Sequence, residues 1–456
     1  MLRFCLLLLL TTTMGAADAP VYYLLWFDTE DYIEPSADDA ALRIATELEN
    51  LGVRATFKVV GEKARVLASR GRRDVIRALS RHDIGYHADN HSIPPSPAVY
   101  LQPLGLLEGA QEFERREGPG VRDIRRMFGV TPSCYGQPGS SWGPQSNIAL
   151  RRMGIPVYMD EGSLVGYQNQ PFWYMGILYV FNLQRYSIRA DINDPSQLDA
   201  AKRRFTEAVA ELKRGSGGVI HTYYHPTEFV ATEFWDAVNF SRGAYTAPSD
   251  YKRPNLRTSQ SAEQAYRILV EFVKHIQATP GVRIITARQL PQIYDHPTTT
   301  VDVTAIRGDL AQSIDIRGGH SPADQLLALL SFQGRYVDGP AARVTSTVRA
   351  TSIPRPLFDR GKHDAIGYIE RHHRLPSHVW FGSERLSLGD FTATLAGDNG
   401  GPAVAVRRGN LAFERHVASG AKSAFNWAIH PENFDGADLL ELGRLQAWTL
   451  KPARLR

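Results

Sequence analysis

Two short stretches carry the side chains that could do chemistry. In Trp26-Phe27-Asp28-Thr29-Glu30-Asp31-Tyr32 an apolar run from Val21 to Phe27 ends abruptly in carboxylates; in Ile84-Gly85-Tyr86-His87-Ala88-Asp89-Asn90-His91 a short lead-in ends in two histidines four apart. Buried parallel strands deliver residues to the rim of a sheet or barrel in this way, and histidines at i and i+4 can face one cation where the chain turns helically. One carboxylate with two imidazoles makes a three-ligand divalent site that leaves a position open for water, and the remaining carboxylate is available to deprotonate that water. A third stretch, Gly217-Gly218-Val219-Ile220-His221-Thr222-Tyr223-Tyr224-His225-Pro226, follows a glycine pair with a β-branched and aromatic run and again ends in histidine. A lone histidine pair is more often a surface or core feature. Three separate strand ends carrying catalytic side-chain types argue for a site.

The order and spacing of these motifs resemble those of the polysaccharide deacetylases of carbohydrate esterase family 4, metal-dependent enzymes that remove acetyl groups from N-acetylated sugars in polymers. The resemblance spans residues 20–297 and implies a distorted seven-stranded (β/α) barrel acting on an N-acetylated polysaccharide. It implies Asp28 as the base and Glu30, His87 and His91 as ligands of a divalent metal, zinc foremost, with Asp31 the competing carboxylate. Imidazole and carboxylate also accept other first-row ions. His225 matches the general acid. His221 shares its strand face, but Pro226 stops the strand beside His225, so His225 is expected at the open mouth and His221 in the interior. The aspartate that tunes the acid is matched by Asp160, with Glu161 its neighbour. Two departures stand out. Thr29 separates Asp28 from Glu30 where the family commonly has adjacent aspartates, and Tyr135-Gly136-Gln137-Pro138-Gly139-Ser140-Ser141-Trp142 lacks the arginine that steadies the base. Gln137 supplies hydrogen bonds but no charge. Tyr135, Gln137 and Trp142 are expected to meet substrate, Trp142 as a wall for a sugar face, with a core position its alternative.

Such a site needs strands that end together. Helical Asp38 to Leu51 closes at Gly52 before strand-like Val53 to Val60; helical Gln145 to Met153 precedes Ile155 to Met159; helical Gln197 to Lys213 precedes Val219 to Tyr224; helical Ala262 to Ala278 precedes Val282 to Thr286. This alternation predicts a parallel α/β architecture with its chemistry at the carboxyl ends of the strands. The polar, proline-containing stretch 294–300 marks a boundary at 297. Beyond it, residues 298–456 are expected to form a smaller, mainly helical α+β accessory domain, with Ser321-Pro322 starting a helix. The stretch around Leu375-Pro376-Ser377-His378-Val379 faintly resembles small cell-wall-binding repeats, which would make this domain a glycan contact; a structural lid is the plainer expectation. His363, His372, His373 and His378 lack a carboxylate partner at ligand spacing and are expected on the surface.

A chain of 456 residues that is 43% hydrophobic can bury two cores, and a net charge of +4 without a basic run points away from nucleic acid. Residues 1–17, with Arg3, an apolar stretch and small residues at the exit, have the pattern of a secretory signal peptide, so an exported, periplasmic or extracellular protein without membrane insertion is expected. Cys134 would then be the one mature cysteine, a buried, inert thiol. Two other readings compete. Gly139-Ser140-Ser141-Trp142-Gly143 fits a nucleophile elbow, with Asp160 and His225 in α/β-hydrolase order, although Pro132, Pro138 and Pro144 interrupt the strand and helix an elbow needs. Alternatively, without the arginine, the barrel could serve as a non-catalytic carbohydrate-binding scaffold.

Overall fold

A computed structural model describes residues 19–295, 300–332 and 336–456. The expected signal peptide and the boundary at 297 lie outside the described residues. Nine strands in the first two-thirds build one sheet: β1 (Val21–Thr29), β2 (Thr56–Val59), β3 (Asp83–Tyr86), β4 (Cys134–Tyr135), β5 (Val157–Asp160), β6 (Phe172–Tyr174), β7 (Ile177–Phe181), β8 (Gly218–Tyr224) and β9 (Val282–Ile285). In space the order is β6-β7-β5-β4-β3-β2-β1-β8, with β9 also beside β1 and the C-terminal strand Lys451–Pro452 antiparallel on the free edge of β6. From β7 to β8 the neighbours are parallel; only the β6–β7 hairpin and the C-terminal strand reverse. The sheet curls until the chain after β7 meets β8, where Ser187 bridges His221 and the Ile188 N–H donates to the His221 carbonyl at 2.9 Å. The result is a distorted half-barrel, as expected, with the β6–β7 hairpin and the C-terminal strand added to the anticipated seven strands.

Alternation along the strands separates two cores. Leu24 and Trp26 of β1 point inward with Cys134, Val157, Met159, Leu178 and Val180. Tyr23, Leu25 and Phe27 point outward under the helices Ser36–Asn50, Leu198–Arg214 and Ser259–Ala278. The same parity sets Asp28 on the inner face at the carboxyl end of its strand. Cys134 is fully buried and its thiol pKa is raised, chiefly by burial. Among the described residues no helix is long and apolar enough to cross a membrane.

Residues 300–456 add helices, among them Pro322–Leu329, whose Ser321 hydroxyl accepts from the Asp324 N–H as the sequence pattern implies, and two small antiparallel sheets, the hairpin His378–Phe381 with Glu384–Ser387 and the long-range pair Ser352–Pro354 with Ala403–Ala405. This part is knitted to the barrel: besides the Lys451–Pro452 strand, Tyr294 and Asp295 pair with Leu455 and Arg454, and the Tyr174 hydroxyl donates to the Gly443 carbonyl at 2.9 Å. Leu375 is buried, and Phe358, Phe381 and Phe391 form an aromatic cluster beside it, while His363, His372 and His373 are exposed.

Candidate metal centre and catalytic cleft

Glu30, just past the end of β1, meets His87 and His91 from the loop after β3. Glu30 Oε2 lies 3.2 Å from His87 Nε2 and 2.8 Å from His91 Nε2, and the two Nε2 atoms are 3.2 Å apart. These edges are a little inside the roughly 3.4 Å that bonds of about 2.1 Å at tetrahedral angles produce. All three residues are buried. The His87 Nδ1 faces the Gly136 carbonyl at 3.0 Å and must donate to it; the His91 Nδ1 faces Ser92 Oγ at 2.6 Å, whose own proton goes to Asp236. Both Nε2 atoms therefore turn their lone pairs toward Glu30, the orientation that outer partners impose on metal-binding histidines. Trp235 Nε1 donates to the other Glu30 oxygen at 3.1 Å. Glu30 is held well below the ordinary carboxylate range, because His91, His225 and His87 together outweigh the burial that would raise it. Burial lowers His87, whereas Glu30 overrides burial and raises His91. One carboxylate and two imidazoles so converged fit a divalent first-row cation.

The histidines do not meet on a helix. Ala88 and His91 take left-handed backbone conformations, φ 66° and 54°, which is where non-glycine strain commonly serves a site. The loop is pinned on both sides. The Gly61 and Glu62 N–H groups donate to the Ala88 and Asp89 carbonyls at 3.0 and 2.8 Å, and the Asp89 N–H donates to buried Glu117 at 2.7 Å. A Cβ at position 61 would stand 2.3 Å from Asp89 Oδ1, so glycine is required there. Asp31, the alternative ligand, is turned away: its carboxylate accepts from the Ile33 and Glu34 N–H groups and from the Thr227 hydroxyl.

Asp28 is steadied by a lysine that sequence reasoning missed. In register across β1 and β2, Asp28 lies opposite Lys58, whose Nζ is 2.9 Å from Asp28 Oδ1, 3.5 Å from Asp160 Oδ2, and donates to the Met159 carbonyl at 3.0 Å. Room for this fully buried ammonium comes from glycines: a Cβ at Gly136 would lie 2.1 Å from Lys58 Nζ, and one at Gly85, its register partner on β3, 3.0 Å from Lys58 Cγ. Burial alone would raise Asp28, but Lys58, then His87 and His225, draw it below its ordinary value. Asp160 is pushed to about 7, by burial first and by Asp28, with Lys58 opposing. One cation shared by two carboxylates holds Asp28 low and leaves Asp160 raised. The available signal was a lysine at inward parity in the strand Thr56-Phe57-Lys58-Val59.

The expected pairing of Asp160 with His225 is therefore corrected. His225 Nδ1 faces Glu228 Oε2 at 3.3 Å, and Glu228 is itself held by Arg189 at 2.6 Å. Glu228 sits three residues on, in the turn that Pro226 begins, and also accepts from the His225 N–H at 2.9 Å. Burial would lower His225, but Glu30, Glu228 and Asp28 raise it to about 9. Glu228 is lowered to about 2, because His225 and Arg189 outweigh burial. A cation on Glu30 would cancel that residue's share of the rise. His225 Nε2 stands 3.8 Å from Asp28 Oδ2, beyond direct hydrogen bonding. His221 lies in the barrel interior, stacked on Trp26 and depressed to about 3 by burial and then Lys58.

Asp28, Glu30, His87, His91, Asp160 and His225 line a cleft of about 590 Å³ together with Gln137, Tyr223, Phe234 and Trp427. Gln137 lines the cleft but is buried, its amide donating to the Gly139 carbonyl at 3.0 Å. Two expected substrate contacts are overturned. Trp142 is fully buried against Tyr174, and Tyr135 is packed between Tyr86 and Tyr158, because both sit on the helix-covered face. A half-buried aromatic wall is supplied by Trp427, which no motif flagged; it lies over Gly139, edge-on to His91 at 5.5 Å, and its backbone N–H donates to Ser140 Oγ at 3.0 Å. Ser141 is buried away from the cleft, accepting from the Ala98 N–H at 2.8 Å and donating to Ser96 at 2.9 Å. Through Ser163 and Gln184 the cleft continues into a polar hollow of about 690 Å³ lined by Asn169, Asn182 and His416.

No protein-family profile matches the sequence, and no curated protein does. Solved structures are similar in fold. A proposed polysaccharide deacetylase from Mycobacterium smegmatis has 14% identity and a TM-score of 0.39, covering 61% of this chain and 93% of its own. The Xyl-CE4 domain of a multidomain xylanase from the hindgut metagenome of Trinervitermes trinervoides has 13% identity and a TM-score of 0.32, covering 60% and 90%. A 4-alpha-glucanotransferase from Thermococcus litoralis has 12% identity and a TM-score of 0.37, covering 59% and 39%. A CE4-family pseudoenzyme also stands among the matches. Fold does not fix function, and the functional argument rests on the site itself.

Proposed function

We propose that the protein is a metal-dependent hydrolase that removes N-acetyl groups from an amino-sugar polysaccharide. The observation that carries this reading is the convergence of Glu30, His87 and His91 within hydrogen-bonding distance of one another, beside an ionised Asp28 and a histidine raised by its own carboxylate. Glu30, His87 and His91 would hold the divalent ion, zinc foremost. When bound, such an ion lowers the pKa of water and polarises a carbonyl.

The remaining steps belong to the chain. Asp28, kept ionised by Lys58, accepts the proton of the water that attacks the acetyl carbonyl. His225, with Glu228 retaining its Nδ1 proton, donates from Nε2 to the departing amine nitrogen. Asp160 holds Lys58 from the other side and does not act on His225. Trp427 offers a face on which a sugar ring stacks, Gln137, buried in the cleft lining, has an amide oxygen without a partner, and the amide-lined hollow beyond Ser163 gives further sugar units somewhere to lie. Acetate and a free amino sugar are the products.

In the serine-hydrolase reading the nucleophile is Ser141, which does not line the cleft and whose hydroxyl is taken up by the Ala98 N–H and Ser96. Acetate release from a panel of N-acetylated glycans, measured with chelator and after adding back zinc, tests the proposal. Release that chelator abolishes and zinc restores is expected. Glycan binding with no acetate released from any member would instead mark a non-catalytic carbohydrate-binding protein.

A further inference from the structure

A second hollow lies away from the cleft and shares no lining residue with it. About 420 Å³ in volume, it opens between the helices Gln145–Met153 and Arg355–His372, with Arg374 among its walls. Arg374 follows His373, whose left-handed conformation ends the second helix, and a bridge to Asp338 fixes its backbone. Its residue exposure is 8%, and its Nε is buried without a hydrogen-bond partner. Among the described residues no carboxylate pairs with it. Asp338, in the same hollow, is already committed: Arg151 Nη2 donates to both its oxygens at 2.8 and 3.0 Å, and the Tyr336 hydroxyl donates at 2.7 Å. Arg152 completes a lining of three guanidinium groups against one carboxylate, and its one ion pair among the described residues, with Glu114 at 3.5 Å, is half exposed and weak.

Burying a guanidinium without a counter-charge is costly, and its planar fork is suited to carboxylate and phosphate. We infer that this hollow binds an oxyanion, the carboxylate or phosphate group of a ligand whose body rests on Leu107 and Tyr368. Arg374 receives the anion from the floor and Arg152 from the side. Leu107, 46% exposed, supplies an apolar wall that an isolated salt ion would not use. The inference is independent of the proposed hydrolysis.

The test uses the full chain, titrated with sodium phosphate and separately with sodium glucuronate at constant ionic strength, so that general screening stays fixed. Thermal unfolding and calorimetry are the readouts. Saturable stabilisation by at least one anion is expected; the stronger response identifies phosphate or carboxylate as the group recognised. Arg374→Met should weaken that binding at least tenfold, yet unfold at or above the parent's temperature without anion, because an uncompensated buried charge has been removed. Equal anion responses in parent and variant would place binding elsewhere, the metal centre included, and overturn the inference, as would no response from the parent. If Arg374→Met does not fold, parent crystals soaked in tungstate decide: an anomalous peak within hydrogen-bond distance of Arg374 supports the site, and none there at saturation rejects it.

Discussion

Replacing Lys58 with methionine keeps an unbranched side chain as far as the Cε position and deletes the charge that lies 2.9 Å from Asp28 and 3.5 Å from Asp160. At an effective dielectric of about 20, a unit charge about 3 Å away is worth roughly 5–6 kcal/mol to a carboxylate before any relaxation. Observed shifts beside a cation are about 1–3 pKa units, and this smaller figure governs because the surroundings relax. Asp28 should therefore rise by about 1–3 units, each unit being about 1.4 kcal/mol. A general base acts when ionised, so the acid limb of kcat/KM moves upward by the same amount. On that limb acetate release falls about 10- to 1000-fold, and part of it returns as the pH is raised. Leaving Asp28 unpaired also lowers stability, by about 3–5 kcal/mol for a broken buried pair, so thermal unfolding must show that the variant is folded at the assay temperature. The measurement is acetate release against pH, with metal content determined on the same samples. A folded, metal-loaded variant whose acid limb has not moved would refute the role given to Lys58.

Glu228→Gln should lower the pKa of His225, now raised to about 9, and shift the basic limb of the rate profile down by about 1–2 units. The same pair shapes stability: His225, raised on folding, contributes fully below its unfolded value near 6.5 and loses this as pH rises through about 9, whereas Glu228, lowered to about 2, contributes above its unfolded value near 4.5 and loses this as pH falls. Unfolding temperature against pH should thus be flatter in Glu228→Gln at both ends, and an unchanged curve would contradict the pairing. Trp427→Ala should raise KM for the polymer about 3- to 10-fold, from the loss of roughly 0.5–1.5 kcal/mol of stacking, with metal content and kcat little altered; unchanged KM would remove Trp427 from the substrate wall. Ser141→Ala should keep activity within about twofold while unfolding at a lower temperature, since a buried hydrogen bond is worth about 1 kcal/mol; an inactive but folded variant would revive the serine mechanism.

Asp28, Glu30, His87 and His225 stood out in the sequence because each lies at or just past the end of a strand, and His91 because it follows His87 by four residues; strand alternation fixes the face of Asp28 alone among them. The α/β class was legible for a related reason: the chain alternates helix-period and strand-period segments, and local pattern suffices to classify them. Lys58 was hidden because its importance lies in register. Only the pairing of β1 with β2 sets it against Asp28, and only Gly85 of β3 and Gly136, just past β4, make room for it. Asp160 was assigned to the wrong partner for the same cause, since motif order records which strand a residue ends but not which neighbour its side chain reaches. Glu228, three residues from His225, was within local reach, yet its role depends on Arg189 and the barrel wall to hold it ionised. Trp142 and Trp427 show the limit most plainly. The first sits in a motif that looks functional and is consumed by the core, while the second lies some 285 residues further along the chain and reaches the cleft because the C-terminal part folds back onto the barrel. Side-chain chemistry and strand parity are local properties that sequence carries; the choice of partner is made by contacts between residues far apart in the chain, and those exist only once the sheet has curled and its C-terminal strand has docked.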